Sequence, residues 1–138
     1  MVSSGVITVS SDSVNGKSIL ANVTATNEGQ ADIAILGAAS HIYWDLSAKQ
    51  YIGFDFKDKN ATVIHYFLMY DKKRNYREWL FTNPDPGNWI KVSADLRDTS
   101  YYESAPIDLS NIEQFEVGVF GGPANAQYTF QIDEVTVR

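Results

Sequence analysis

The chain has 138 residues, a length that suits one domain, and hydrophobic residues make up 44% of it, enough for a real core. It carries 11 Lys and Arg against 17 Asp and Glu, and its basic residues are scattered, which argues against a nucleic-acid partner. Without cysteine it has no disulfide or thiolate metal site, and no apolar run approaches the roughly 20 residues of a membrane helix.

Segments that alternate apolar and polar residues dominate the chain, and helical periodicity is nearly absent. In chain order the predicted strands are GVITVSS, SILANVTAT, ADIAILGA with HIYW, YIGFDFK, VIHYFLMY, YREWLF, WIKVSADL, FEVGVFGG and YTFQIDEVTVR. About nine or ten short strands separated by polar turns are typical of a sandwich. The pattern therefore predicts an all-β fold, an antiparallel two-sheet β-sandwich, most simply a jelly roll, in one domain spanning 1–138.

The face of each strand follows from this alternation. We expect six aromatic side chains to point inward: Phe54, Phe56, Trp89, Phe115, Tyr128 and Phe130. VIHYFLMY permits two parities, because a shift of one residue exchanges the faces. One turns Phe67 and Met69 to the core and exposes Tyr66 and Tyr70, whereas the other buries Leu68 with both tyrosines. We adopt the first, because exposed Phe and Met would cost more than exposed Tyr.

Signatures of catalysis are absent from the sequence. There is no HExxH, GxSxG, P-loop or dinucleotide motif, and the two histidines, His41 and His65, stand far apart in strand-like stretches. Glu113 and Glu116 could do acid-base work at the spacings that glycosidases use, but solvated surface acids are the simpler interpretation. We therefore predict that the protein is not an enzyme.

Tyrosine is in surplus over what a core would use. The chain has eight, of which seven are candidates for a surface role: Tyr43, Tyr51, Tyr66, Tyr70, Tyr76, Tyr101 and Tyr102. A tyrosine offers a flat apolar ring with a hydroxyl at its edge. One face of a pyranose is lined with C–H groups and its rim carries hydroxyls, so the two surfaces match. This composition favours a carbohydrate ligand.

The order of motifs resembles a known family. The motifs are GVITVSSDSVNGKSILANVTAT, DLSAKQYIGFDFK, EWLFTNPDPGNWIKVSADL, PIDLSNIEQFEVGVFGG and YTFQIDEVTV. Together they resemble the jelly-roll carbohydrate-binding modules of bacterial polysaccharide-degrading enzymes, broadly the β-glucan binders of families 4, 11 and 30. The most specific parts are a hairpin from Trp79 to Trp89 with a Pro-Asp turn, the DLSNI turn, and the closing strand.

The resemblance implies a groove on one sheet. The strand after DLSNI would give Glu116, Gly118 and Phe120 to the groove, with Val117 and Val119 in the core. The loop before that turn would give Tyr101 and Tyr102, and the EW strand would give Arg77 and Trp79. With the two tyrosines of VIHYFLMY, the expected ligand-binding set is Tyr66, Tyr70, Arg77, Trp79, Tyr101, Tyr102 and Glu116.

The resemblance also implies a structural calcium ion. Its usual ligands in such modules are main-chain carbonyls, an acid near the N-terminus and the Asp of the closing strand, which here is Asp133. Oxygen ligands suit Ca²⁺. The usual acidic opening strand is missing from this sequence, and Asp12 is the nearest acid.

The expected function is non-catalytic binding of a polysaccharide, most specifically a β-glucan, which targets an attached catalytic domain to its substrate. The opening MVSSGVITVSS lacks the charged and apolar regions of a signal peptide, and the chain ends on a strand, so we expect a monomeric accessory domain excised from a larger secreted glycoside hydrolase. Two alternatives stay open: a small lyase or hydrolase, the lyase using His65, Arg77 and Tyr66, and a protein-interaction domain.

Overall fold

A computed structural model describes residues 4–10, 18–24, 31–37, 42–60, 63–98, 102–120, 123 and 125–138. In these ranges the chain forms strands only: β1 (Ser4–Ser10), β2 (Ser18–Thr24), β3 (Ala31–Gly37), β4 (Tyr51–Asp58), β5 (Ile64–Asp71), β6 (Tyr76–Thr82), β7 (Ile90–Asp95), β8 (Tyr102–Glu103), β9 (Ile112–Phe120) and β10 (Gln127–Val137). None of the described segments is a helix with the length and apolarity to cross a membrane.

The strands form two five-stranded sheets. The first has the order β1-β2-β10-β4-β7 and the second the order β3-β9-β5-β6-β8. Every pairing between neighbouring strands is antiparallel. The predicted all-β, two-sheet antiparallel sandwich is therefore confirmed.

The core lies between the inner faces of the two sheets. Five of the six aromatics expected inward belong to it, namely Phe54, Phe56, Phe115, Tyr128 and Phe130. Trp89 was predicted wrongly: it is not among the side chains packed on the core, and its indole instead lies beside the ammonium of Lys57, 5.9 Å from the ring centroid. Residues Val117 and Val119 are fully buried, as expected.

The adopted parity of β5 is correct. Phe67 and Met69 belong to the core cluster, and their neighbours Tyr66, Leu68 and Tyr70 face away from it. The expected exposure of Tyr66 is wrong, because Tyr66 is only 8% exposed. Side chains at the middle of this outer face are thus largely inaccessible, as Tyr66 and Leu68 show.

The expected Trp79-to-Trp89 hairpin does not form. β6 belongs to the second sheet and β7 to the first, so the TNPDPGN segment carries the chain across the sandwich. The crossing is fixed to the end of β4, because the Asp58 carbonyl accepts hydrogen bonds from Asn83 Nδ2 and from the Gly87 amide, both at 2.8 Å. Prolines 84 and 86 lack the amide hydrogens that a continuous ladder would use.

A buried ion pair joins the two sheets. His65 Nε2 lies 2.8 Å from Asp58 Oδ2, and both side chains are almost fully inaccessible. His65 Nδ1 donates to the Gly118 carbonyl at 3.2 Å. Both ring nitrogens of His65 therefore face an oxygen atom, one from each sheet. The rings of Phe56 and Phe81 pack against the imidazole and keep the pair dry.

Candidate functional site

The outer face of the second sheet, here called the trough, is least exposed along its middle. Leu68 and Glu116 there are 4% and 8% exposed, whereas Ile64 and Tyr102 towards its margins are 41% and 47% exposed. The strand alternation and register place these side chains on it: Ile64, Tyr66, Leu68, Tyr70, Tyr76, Glu78, Leu80, Tyr102, Gln114, Glu116, Gly118 and Phe120. The trough is therefore mixed in polarity and more exposed at its margins than along its middle.

Three tyrosines form a continuous strip at one end of the trough. The ring centroids of Tyr70 and Tyr76 are 5.7 Å apart, and those of Tyr76 and Tyr102 are 5.5 Å apart. Burial raises the pKa of Tyr76 to about 12, helped by a hydrogen bond with Tyr102. The guanidinium of Arg74 covers Tyr70, with Cζ 3.8 Å from the ring centroid. This tyrosine strip offers adjoining aromatic rings outside the core.

Two carboxylates flank the apolar floor of the trough. In register, Leu68 stands between Glu78 on β6 and Glu116 on β9. Gln114 Nε2 donates to Glu116 Oε1 at 2.6 Å, which orients that carboxylate. Burial raises the pKa of Glu78. Carboxylate oxygens can accept hydrogen bonds from hydroxyl groups, so the floor offers polar partners on both sides of an apolar strip.

Gly118 lies opposite Tyr66 on the same floor. Gly118 is itself buried, so the backbone of β9 is covered there. Phe120 follows on the same face and pairs with Ile64.

Four of the seven predicted binding residues come together in the trough: Tyr66, Tyr70, Tyr102 and Glu116. Tyr101 lies outside the described residues. The residues predicted on β5 and β9 thus lie on one shared face. The short strand β8 adds Tyr102 at the margin of the trough.

The structure does not place Arg77 and Trp79 with this group. Both face the opposite side of β6, towards the core. Arg77 is buried, and its guanidinium donates to the Leu96 carbonyl and, at 3.2 Å, to Glu103. Trp79 stacks on Phe67 with ring centroids 5.4 Å apart. Their assignment to the trough is corrected, because antiparallel pairing puts them on the same face as Phe67 and Met69.

Sequence reasoning missed Tyr76 and Glu78 as trough residues. The signal was available in YREWLF: Trp79 and Phe81 at alternate positions favour a core face, which leaves Tyr76, Glu78 and Leu80 on the other. The lyase grouping of His65, Arg77 and Tyr66 does not form either, because His65 is fully buried and lies on the core side of β5.

Asp133, the predicted calcium ligand, stands opposite Asp55 on the outer face of the first sheet. Asp55 is buried and accepts from Lys91 Nζ at 3.1 Å. Among the described residues, no three acidic or histidine side chains gather as a metal would require. Asp12 lies outside those residues. The described side chains alone therefore do not supply the six to eight or so oxygen ligands that Ca²⁺ takes, and calcium binding stays a prediction.

That prediction has a direct test. If calcium stabilises the fold, EDTA should lower the melting temperature, and excess calcium should restore it, because an ion that binds only the folded state shifts the folding equilibrium. Differential scanning calorimetry checks this, with Asp133→Asn as a variant expected to respond less. An unchanged melting temperature of the parent protein in EDTA would contradict the site.

The raised pKa of Glu78 predicts a pH dependence of stability. Between the unfolded-state pKa and the higher folded-state pKa, the folded protein binds more protons, so stability falls as pH rises through that interval. Glu78→Gln removes this penalty. We expect the variant to melt at a higher temperature than the parent protein at neutral pH, and the advantage to vanish below the ordinary carboxyl pKa of 4.5. A melting curve series across pH measures it, and an equal difference at all pH values would contradict the assignment.

Comparison with known proteins finds similar structures but no similar sequences. No protein-family model matches the chain, and no curated protein matches its sequence. In structure it is similar to the family 11 carbohydrate-binding module from Clostridium thermocellum in complex with a β-1,3-1,4-mixed-linked tetrasaccharide, with a TM-score of 0.70 and 16% identity over 98% of this chain and 82% of that one.

The family 30 module of a cellulosomal cellulase of the same organism has a TM-score of 0.68 and 16% identity, over 96% of this chain and 81% of that one. The chain has a carbohydrate-binding-module jelly-roll fold. A similar unit lies within an exo-β-agarase, which matches with a TM-score of 0.72 and 15% identity over 100% of this chain but only 23% of that one.

Proposed function

We propose that this protein binds a polysaccharide along the trough and catalyses no reaction on it. The observation that carries the proposal is the tyrosine strip, in which the rings of Tyr70, Tyr76 and Tyr102 adjoin one another outside the core. Aromatic rings outside the core, beside the apolar floor, suit the C–H face of successive sugar rings.

The polar side of the same face complements sugar hydroxyls. Glu116, oriented by Gln114, and Glu78 can accept hydrogen bonds on opposite sides of Leu68. Hydrogen bonds of this kind discriminate stereochemistry, because a wrongly placed hydroxyl leaves a buried acceptor unsatisfied. Stacking would thus supply area, and the two glutamates would supply selectivity.

We further propose a β-glucan as the ligand. The carboxylates of Glu78 and Glu116 would repel the negative groups of a uronate or sulfated chain. The trough therefore favours a neutral polymer. The similar family 11 module is described in complex with a mixed-linked β-glucan tetrasaccharide, which makes this polymer the first to test.

We also propose that this domain works as an accessory part of a larger polysaccharide-degrading enzyme. The domain, a monomer, would hold an attached catalytic domain on its polysaccharide in the extracellular space. Support for this comes from structures in which a similar unit belongs to a cellulase or makes up 23% of an agarase chain.

Affinity electrophoresis tests the proposal. Native gels that contain mixed-linked β-glucan, xylan, mannan or agarose are compared, and the protein should be retarded most strongly in β-glucan. The affinity should be modest, because one face of a sheet buries one side of a flexible chain that must be ordered. No retardation in any of these gels would contradict polysaccharide binding, and retardation by another neutral polymer alone would replace the β-glucan.

One observation favours a hydrolase as the second candidate. Glu78, with its raised pKa, and Glu116 stand two strands apart, roughly 10 Å between Cα atoms at the usual strand spacing. Side chains that lean inward would bring their carboxyls near the spacing of about 6.5–9.5 Å used by inverting glycosidases. Release of reducing ends from β-glucan that stops in Glu116→Gln would establish this activity in place of simple binding.

A further inference from the structure

A depression lies on the outer face of the first sheet, on the opposite side of the sandwich from the trough. Its volume is about 620 Å³, within the roughly 300–1,000 Å³ of ligand pockets. Here called the back hollow, it is lined by Lys57, Asp58, Lys59 and Asn60 at the end of β4 and by Gln127, Tyr128, Thr129, Phe130 and Gln131 on β10. This place is not part of the proposed polysaccharide groove.

Neutral hydrogen-bonding side chains dominate the outward-facing lining. Gln127, Thr129 and Gln131 occupy alternate positions of β10 and therefore face outward together. Thr129 Oγ1 donates to Asn22 Oδ1 at 2.7 Å, and Gln131 Nε2 donates to Ser18 Oγ at 3.2 Å. These contacts to β2 orient the Gln131 amide and the Thr129 hydroxyl on the floor of the back hollow. Both groups can donate and accept hydrogen bonds, so they suit ligand hydroxyl groups.

The charge of the back hollow is opposite to that of the trough. Its two lysines, Lys57 and Lys59, lie at the rim, and its one acid, Asp58, turns inward to pair with His65 at 2.8 Å. The back hollow therefore has a cationic rim, while the next acids on the same outer face, Asp55 and Asp133, stand one pair further along β4 and β10 and do not line it. A cationic site lined with amides selects a ligand that has both hydroxyls and a negative group.

An aromatic platform adjoins the cationic rim. Trp89 lies half-buried immediately before β7, with Lys57 Nζ 5.9 Å from its ring centroid. Because Ile90 pairs with Phe56 on the core side, Trp89 falls on the same outer face as Lys57 and Gln131. Indole, ammonium and amide therefore follow one another across three strands, and a sugar ring that lies on the indole would place its substituents near Lys57.

We infer that the back hollow is a second glycan site, which binds a sugar residue carrying a sulfate or carboxylate group. Lys57 and Lys59 bind the anionic group, Gln127, Thr129 and Gln131 bind hydroxyls, and Trp89 supports the neighbouring ring. The two faces of the sandwich then differ in their ligands: the trough takes neutral chain segments, and the back hollow takes charged ones.

The test compares oligosaccharides that share a galactan backbone and differ only in sulfation, together with a uronate oligosaccharide, by isothermal titration calorimetry at low salt. The parent protein should bind a charged oligosaccharide and not the neutral galactan at the back hollow. Lys57→Gln combined with Lys59→Gln should weaken that binding about tenfold or more, since charge-assisted hydrogen bonds are lost. Whichever charged oligosaccharide binds identifies the group.

The matched control is Lys49→Gln combined with Lys73→Gln. It removes two exposed lysines outside the back hollow and gives the same net charge. Its affinity should stay within about twofold of the parent protein, as removal of a distant surface charge has little effect. Equal losses in both double variants, or no binding of either charged oligosaccharide, would overturn the inference. A variant of the tyrosine strip should keep this binding, which separates the inference from the proposed function.

Discussion

Asp58→Ala is expected to lower the free energy of unfolding by roughly 3–5 kcal/mol, because it leaves the buried imidazole of His65 without its carboxylate partner. His65 lies at 0% exposure between aromatic rings, with Nε2 against Asp58 Oδ2 and Nδ1 against the Gly118 carbonyl. Without the carboxylate, the buried Nε2 of His65 loses the oxygen that faces it. Asp58 Oδ1 also accepts from the Asn60 amide at 2.8 Å, and the variant loses this bond too.

Urea unfolding measures the effect, with two comparison variants. Asp58→Asn should cost less, because its side chain keeps an oxygen for the Asn60 amide and a polar group that faces His65 Nε2. Asp98→Ala removes an exposed aspartate and should change the free energy of unfolding by no more than about 0.5 kcal/mol. A loss below about 1 kcal/mol in Asp58→Ala would show that the pair contributes little to holding the sheets together.

Tyr76→Ala combined with Tyr102→Ala is expected to weaken β-glucan binding by about 10–100-fold. Each ring that stacks on a sugar should contribute about 0.5–1.5 kcal/mol beyond its buried area, and about 1.4 kcal/mol corresponds to a factor of ten. Both rings belong to the tyrosine strip and neither belongs to the core cluster. The loss of affinity should therefore exceed what any loss of stability at the binding temperature could explain.

Titration calorimetry with a β-glucan oligosaccharide measures the affinity, and thermal melting checks that the variant is folded. Tyr51→Ala is the matched control: this tyrosine also lies on a sheet face away from the core, but on the first sheet. It should bind like the parent protein. If Tyr51→Ala and the double variant lose equal affinity, the tyrosine strip is not the binding surface.

The alternation of apolar and polar residues within strands predicted most of the fold. YIGFDFK has three apolar side chains at alternate positions, and Ile52, Phe54 and Phe56 are all in the core. The comparison of burial costs was enough to choose the parity of β5, because Phe67 and Met69 gain more from burial than the tyrosines beside them. The same reasoning brought Tyr66, Tyr70 and Glu116 to one face.

The errors arose where a local pattern does not determine which sheet a strand joins. The TNPDPGN turn has the residues of a hairpin, but hydrogen bonds to the distant Asp58 carbonyl direct it across the sandwich. Trp89 looked like a core residue by its size, and only the pairing of Ile90 with Phe56 shows that it faces outward. Arg77 looked like a surface residue by its charge, whereas its partners, Leu96 and Glu103, are remote in sequence.

The buried guanidinium of Arg77 has a consequence for how binding residues can be recognised in this protein. Arg77 joins the Leu96 carbonyl, after β7, to Glu103, which is half of the two-residue strand that carries Tyr102. An alanine scan scored by affinity alone would therefore count Arg77 among the ligand contacts, although it faces away from the trough. To distinguish a residue that touches the sugar from one that holds such a residue in place, the structure around Tyr102 must be determined in each variant alongside its affinity.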